Sequence, residues 1–210
     1  MHLLITDRLS CPRCGPRFGL IVRADRMEDR QVLEGVLGCP NCRDGFPVAD
    51  GFADLRAPPR DDLGPGLVGP PPSAGEPSGG ERLVALLGVV GGPGMVGLVG
   101  EPASLAYDVA AALPELLVVA VDADLRLWPE QPGVSRLVSG PGLPLFDSSL
   151  RAIAVDGRLG SGWLAEAARV VPPRARVVVL HAPADVASAL AAAGLRVLAE
   201  QGKTVVAARS

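Results

Sequence analysis

Beyond position 80 the apolar residues gather into short blocks separated by helical spacing. Met95 to Val99, Leu116 to Val121, Ala152 to Val155 and Arg176 to Leu180 are brief, nearly uninterrupted apolar runs. Runs of that length mark strands buried on both faces. Between them, Glu81 to Val90, Ser104 to Leu113, Leu164 to Val171 and Ala184 to Ala193 predict helices. Ser104 is suited to an N-cap, Pro172-Pro173 stops the third helix and Gly194 closes the fourth. Arg196 to Ala199 and Thr204 to Ala208 then predict a hairpin around Gln201-Gly202. Strands alternating with helices define an α/β class with a mostly parallel, Rossmann-like sheet; the hairpin adds an antiparallel edge.

The earlier part of the chain follows another pattern. Residues 1–56 carry short alternating segments and all four cysteines. Residues 57–80 are dominated by Pro and Gly. Proline removes backbone donors and glycine raises the entropy cost of ordering, so this stretch reads as a linker, stiffer where prolines cluster. Three regions follow: a small domain over 1–56, a linker over 57–80 and an α/β domain over 81–210.

One stretch raises a membrane question. Leu83 to Gly100 holds no charged residue. Gly91-Gly92-Pro93-Gly94 interrupts it, so a helix, a turn and a buried strand explain it better than a span. The first residues lack a basic segment followed by a long apolar one, so no secretory signal is expected and the placement is cytoplasmic.

Charge narrows the partners. The 210 residues carry a formal net charge of -3 and only 3% aromatics. The first 60 residues hold nine Arg against eight acids, and the rest eleven Lys or Arg against fifteen acids. Neither part has the dense basic face of a duplex binder, and stacking platforms are scarce, which argues against nucleic acid.

Cys11-Pro-Arg-Cys14 and Cys39-Pro-Asn-Cys42 are two C-x-x-C turns with 24 residues between them. Each turn aims two thiolates at one point, and two turns complete a tetrahedral four-sulfur zinc site. With all four positions filled by protein, such an ion is structural and holds no water. The competing readings are two disulfides or four free thiols; nothing in the sequence suggests an oxidising compartment.

The run Gly38-Cys39-Pro40-Asn41-Cys42-Arg43-Asp44-Gly45-Phe46-Pro47-Val48, followed by Asp50-Gly51-Phe52, resembles the zinc-ribbon family of the small activator of tRNA and protein methyltransferases. Leu3-Leu4 and Leu9 fit that family's opening helix, and Ala53 stands where it usually has proline. The resemblance spans about residues 1–56 and implies a protein partner, often a methyltransferase.

Within residues 81–210, Met95 to Glu101, Val118 to Asp124, Leu143 to Phe146 and Glu166 to Pro173 together resemble, in order and spacing, a class I S-adenosylmethionine-dependent methyltransferase. Met95 to Glu101 falls where that family has its first strand and glycine-rich loop. Val118 to Asp124 falls at its second strand, ending in the acid that binds ribose hydroxyls. Leu143-Pro144-Leu145-Phe146 and Glu166-Ala-Ala-Arg169-Val-Val-Pro-Pro match its later stretches. The resemblance assigns S-adenosylmethionine contacts to Gly100, Glu101 and Asp122. The departures are substantial: the loop keeps only Gly100, followed by Glu101-Pro102-Ala103; Gly97 replaces the first-strand acid; Ser139 replaces the adenine-contacting acid; Arg151 stands where an Asp usually follows the Leu-Pro turn. Proline in the loop also removes a backbone donor.

Other chemistry is sparse. No Gly-x-Ser-x-Gly elbow and no phosphate-cradling glycine pattern occurs. His181 follows a predicted strand at the end where parallel-sheet sites lie and is a candidate general base, though a surface loop histidine is the simpler reading. Asp122 and Asp124 read more simply as a solvated turn than as a cation site. Together these readings predict a zinc-binding protein with an eroded methyltransferase-like domain, a pseudoenzyme acting as a scaffold by protein-protein interaction. The alternative is an active methyltransferase with its activator built in; a nucleic-acid-binding ribbon is the weakest of the three.

Overall fold

The computed structural model describes residues 1–71 and 79–209. The part of the predicted linker at positions 72–78 lies outside the described residues.

In the N-terminal region a 3-10 helix, Leu3–Arg8, leads into β1 (Ser10–Cys11), β2 (Gly15–Gly19), β3 (Ile21–Glu28), β4 (Gln31–Gly38), β5 (Gly45–Ala49) and β6 (Phe52–Leu55). The α/β region contains α1 (Gly80–Leu87), β7 (Gly94–Val99), α2 (Ala106–Ala112), β8 (Leu116–Val121), β9 (Val134–Ser139), β10 (Ala152–Asp156), α3 (Ser161–Val170), β11 (Arg176–Leu180), α4 (Val186–Ala192), β12 (Leu195–Gln201) and β13 (Thr204–Arg209). Eleven strands form one sheet, in the order β12-β13-β11-β10-β7-β8-β9-β6-β5-β4-β3. From β11 to β6 neighbouring strands are parallel, and both ends of the sheet are antiparallel.

The order turns back at β7 and β10, which come from distant parts of the sequence yet lie side by side. Apolar alternation explains why the central strands fit there. Val96 and Leu98 pack with Leu83, Leu87 and Val109 from α1 and α2. Met95 and Val99 point the other way, into a core that includes Leu164 of α3 and Leu190 of α4. Helices on both faces thus cover strands that are apolar on both faces. Gly97 makes room: a Cβ there would lie 2.7 Å from a Leu150 methyl and 3.0 Å from Ile153.

The two composition regions share this sheet. Phe52 pairs with Arg136, Ala53 with Leu137, Asp54 with Val138 and Leu55 with Ser139, so β6 extends the parallel sheet through β9. Met1, Ile5, Leu9 and Phe46 belong to the same buried cluster as the α3 side of the sheet. Arg136, only 2% exposed, donates to the carbonyls of Leu125 and Trp128 and to that of Asp50 in the β5–β6 turn.

The sequence reading did not include β9. Its residues, Val-Ser-Arg-Leu-Val-Ser, interrupt the apolar run with a cation and two hydroxyls, yet all but Ser139 are buried. Three helices are also shorter than predicted, the fourth running only over Val186–Ala192. The first ends where Gly88 adopts φ 67°, with the Arg176 guanidinium donating to the carbonyls of Ala85 and Leu86. The second is preceded by a 3-10 turn over Glu101–Leu105, and Ser104 does not cap it. Leu83 to Gly100 divides into α1, a glycine turn and β7; no helix among the described residues is long and apolar enough to cross a membrane.

Candidate metal centre and cofactor cleft

β1 and the end of β4 bring the two cysteine turns together. The ligand atoms of Cys11, Cys14, Cys39 and Cys42 lie within 4.8 Å of one another. Cys11 Sγ is 3.7 Å from Cys42 Sγ, and Cys39 Sγ is 3.9 Å from Cys14 Sγ. Sulfurs placed tetrahedrally at the usual zinc–sulfur length would stand about 3.8 Å apart. The spacing therefore fits a four-thiolate metal site, and all four cysteines are free thiols rather than disulfides.

Amide groups surround the sulfurs. The Cys14 N–H donates to Cys11 Sγ at 3.4 Å and the Asn41 side chain to Cys14 Sγ at 3.3 Å. Burial opposes ionisation of Cys39, but N–H groups of Cys42 and Asn41 and the neighbouring thiols outweigh it and bring that thiol down to about 7. Cys42 moves the other way, to about 12: the Asp44 N–H favours its thiolate, but desolvation and the other three sulfurs prevail. Four thiolates this close need a cation to coexist. Arg13 links the turns through an ion pair to Asp44 at 2.8 Å. Each turn is followed by a left-handed residue, Gly15 at φ 83° and Arg43 at φ 64°; the second position carries a side chain where glycine would be unstrained.

The crevice at the carboxyl ends of β7 and β8 holds the three residues assigned to S-adenosylmethionine. Gly100, at φ 70°, leaves β7 with no room for a side chain, since a Cβ would lie 2.9 Å from Asp156 Cβ. Glu101 turns away into the 3-10 helix, and its carboxylate pairs with Arg158. Asp122 is 8% exposed and fully engaged: Oδ1 accepts from the Asp124 N–H at 2.9 Å, and Oδ2 accepts from the Leu67 N–H at 3.0 Å. Leu67 belongs to the predicted linker.

The structure adds a neighbouring ionic cluster that joins Glu101 and His181, singled out from the sequence, to Asp156 and Arg158, which were not. Asp156, fully buried at the end of β10, accepts from the Arg158 guanidinium at 2.6 Å. Burial pushes the Asp156 carboxyl up, but Arg158 and nearby N–H groups hold it below the ordinary carboxylate range. His181, at φ 51° after β11, places Nδ1 3.4 Å from Glu101 Oε2 and 3.9 Å from Asp156 Oδ1. These three could approach one cation, but Arg158 already supplies the positive charge and covers both oxygens of Asp156. An acid ending a buried parallel strand was the available signal. A cavity of about 670 Å³ opens between the first cysteine turn and α3, lined in part by Cys11, Arg56, Trp163 and Arg169.

No protein-family model matches the chain, and no curated protein matches it. Solved structures do. The antibiotic-resistance methyltransferase Kmr is 16% identical, with 62% of this chain and 93% of that chain covered and a TM-score of 0.46. A chain from a complex containing the Haloferax volcanii Trm112 methyltransferase activator is 16% identical, with 57% and 68% covered and a TM-score of 0.45. The aminoglycoside-resistance methyltransferase NpmB1 is 14% identical, with 62% and 93% covered and a TM-score of 0.45. Likeness at this level says nothing of substrate or partner. The molecule has an α/β fold: a mostly parallel central sheet, a C-terminal antiparallel hairpin and a cysteine cluster at the N-terminus.

Proposed function

We propose that this protein is a zinc-binding scaffold in which a methyltransferase-like domain has given up catalysis. The observation that carries the reading is the loop after β7. A cofactor-binding loop needs backbone N–H groups that can come close to the ligand. Here the only glycine is Gly100; Pro102 has no N–H, and the Glu101 carboxylate is committed to Arg158. The position of the first-strand acid is Gly97, packed under Leu150 and Ile153.

One structural zinc ion held by Cys11, Cys14, Cys39 and Cys42 completes the reading. When bound it supplies folding free energy to the N-terminal region and no open coordination position. A protein partner is supported by the free edge strand β3, where Ile21 is 65% and Met27 50% exposed.

Calorimetric titration of S-adenosylmethionine and S-adenosylhomocysteine into zinc-loaded protein, with Asp122→Ala as control, tests the proposal. No heat at millimolar ligand is expected. Binding in the micromolar range that Asp122→Ala abolishes would overturn it and favour an active methyltransferase, the reading that Asp122's place at the end of β8 supports.

A further inference from the structure

The predicted linker contains a strap, residues 64–69, that lies in the crevice beside Asp122 and Asp124. Three of its N–H groups donate to the two carboxylates: Gly66 to Asp124 Oδ1 at 2.8 Å, Leu67 to Asp122 Oδ2 at 3.0 Å and Gly69 to Asp124 Oδ2 at 2.9 Å. Two of the strap's carbonyls are also met. Trp128 Nε1 donates to the Gly69 carbonyl at 2.9 Å, and Arg126 donates to that of Gly64 at 3.1 Å. Val68 packs against the α1–α2 side of the core.

The fit is specific to this short sequence. A Cβ on residue 66 would fall 1.8 Å from Asp122 Oδ1 and 2.9 Å from the Asp124 nitrogen, so only glycine passes. The Leu67 methyl Cδ1 lies 3.4 Å from where a Cβ on Gly100 would stand, covering the loop after β7. Pro65 within the segment and Pro70 just after it reduce the entropy lost on binding. Hydrogen bonds to ionised acceptors are stronger than neutral ones, and here three donors meet two buried carboxylates.

We infer that the Asp122–Asp124 crevice is a peptide-binding site, and that its resident ligand is the chain's own Gly64–Gly69 segment. The ligand class is a short glycine-containing backbone, bent at Leu67–Val68, that turns closely spaced N–H donors toward the two carboxylates. A ribose diol would offer two hydroxyl donors to the same acid; that comparison rests on the cofactor-derived reading of Asp122, whereas the peptide site does not. Because the strap is tethered on both sides, a free ligand competes with a local concentration in about the millimolar range.

Amide hydrogen exchange on the zinc-loaded full chain, read residue by residue by NMR, tests this. Gly66, Leu67 and Gly69 should exchange at least roughly tenfold slower than free peptide. Gly66→Val should abolish that protection while leaving Val118 and Ala120 of β8 protected, and Asp124→Ala should do the same by removing acceptors. Exchange at free-peptide rates in the unaltered protein would overturn the inference, as would protection that survives both substitutions. S-adenosylmethionine separates this proposal from the proposed function. If it binds the unaltered protein and strips protection from the strap, catalytic silence falls but the strap's place is upheld. If it binds while that protection is unchanged, catalytic silence falls, the ligand lies outside the Asp122–Asp124 crevice and the strap's place there is upheld.

Discussion

The N-terminal and α/β regions stabilise strands by different means. Strands β7, β8, β10 and β11 lie in the middle of the sheet, with apolar side chains on both faces and helices over each. Strand β3 exposes seven of its eight residues, and β5 alternates exposed and buried positions. The N-terminal region's buried side chains, among them Ile5, Leu37 and Phe46, pack into the core it shares with the α3 side of the sheet. The cysteine cluster and the pairing of β6 with β9 add to that packing, whereas the α/β region depends on packing alone. Disturbing the cluster should therefore affect one end of the sheet, and disturbing the core the other.

The largest expected effect comes from removing the proposed zinc ion. Chelation, or Cys39→Ala, should cost on the order of 10 kcal/mol in the N-terminal region. Hydrogen exchange should show β3–β5 opening while β7 and β10 stay protected; simultaneous loss everywhere would break the comparison. Next is Leu98→Ala in the fully buried centre of β7, expected to cost about 2–5 kcal/mol in denaturant unfolding. Arg136→Met should cost about 3 kcal/mol, because three carbonyls lose a buried charged donor. It should also speed exchange across β6–β9 more than across β7–β8.

Acid should act on the α/β region through Asp156. Its folded-state value lies below the ordinary 3.8. The associated stability is therefore fully present above that ordinary value and fades as pH falls through the lower, folded one. Asp156→Asn should flatten the acid limb of the stability curve; an unchanged limb would mean that other carboxylates govern it. The smallest effect should be a gain. Arg43→Gly relieves a left-handed residue after the second cysteine turn and should stabilise the zinc-loaded protein by about 1 kcal/mol. Gly15→Ala, at the matching position, should destabilise it.

What was legible in the sequence follows the same division. The cysteine turns were readable because side-chain identity and spacing define them. The central strands were readable because burial on both faces leaves continuous apolar runs. Strand β9 was not, since Arg136 sits within it and satisfies its charge with carbonyls from two distant turns. The strap was hidden for another reason. Residues 64–69 bind through backbone N–H groups, which every residue but proline carries, so composition could only label them as linker. Asp124, read as a solvated turn residue, is the acid that holds two of those donors.

The parallel pairing of β6 with β9 also has a consequence in time. Phe52 and its partner Arg136 are 84 residues apart. At the usual 5–20 residues per second of synthesis, roughly 4–17 s separate their appearance at the ribosome. During that interval the cysteine region can take up the proposed zinc ion and fold, with the far side of β6 still unpaired. The nascent chain then carries a finished strand edge before its parallel neighbour exists. That edge can template β9 when it emerges, and until then it is the part of the molecule most exposed to pairing with another chain.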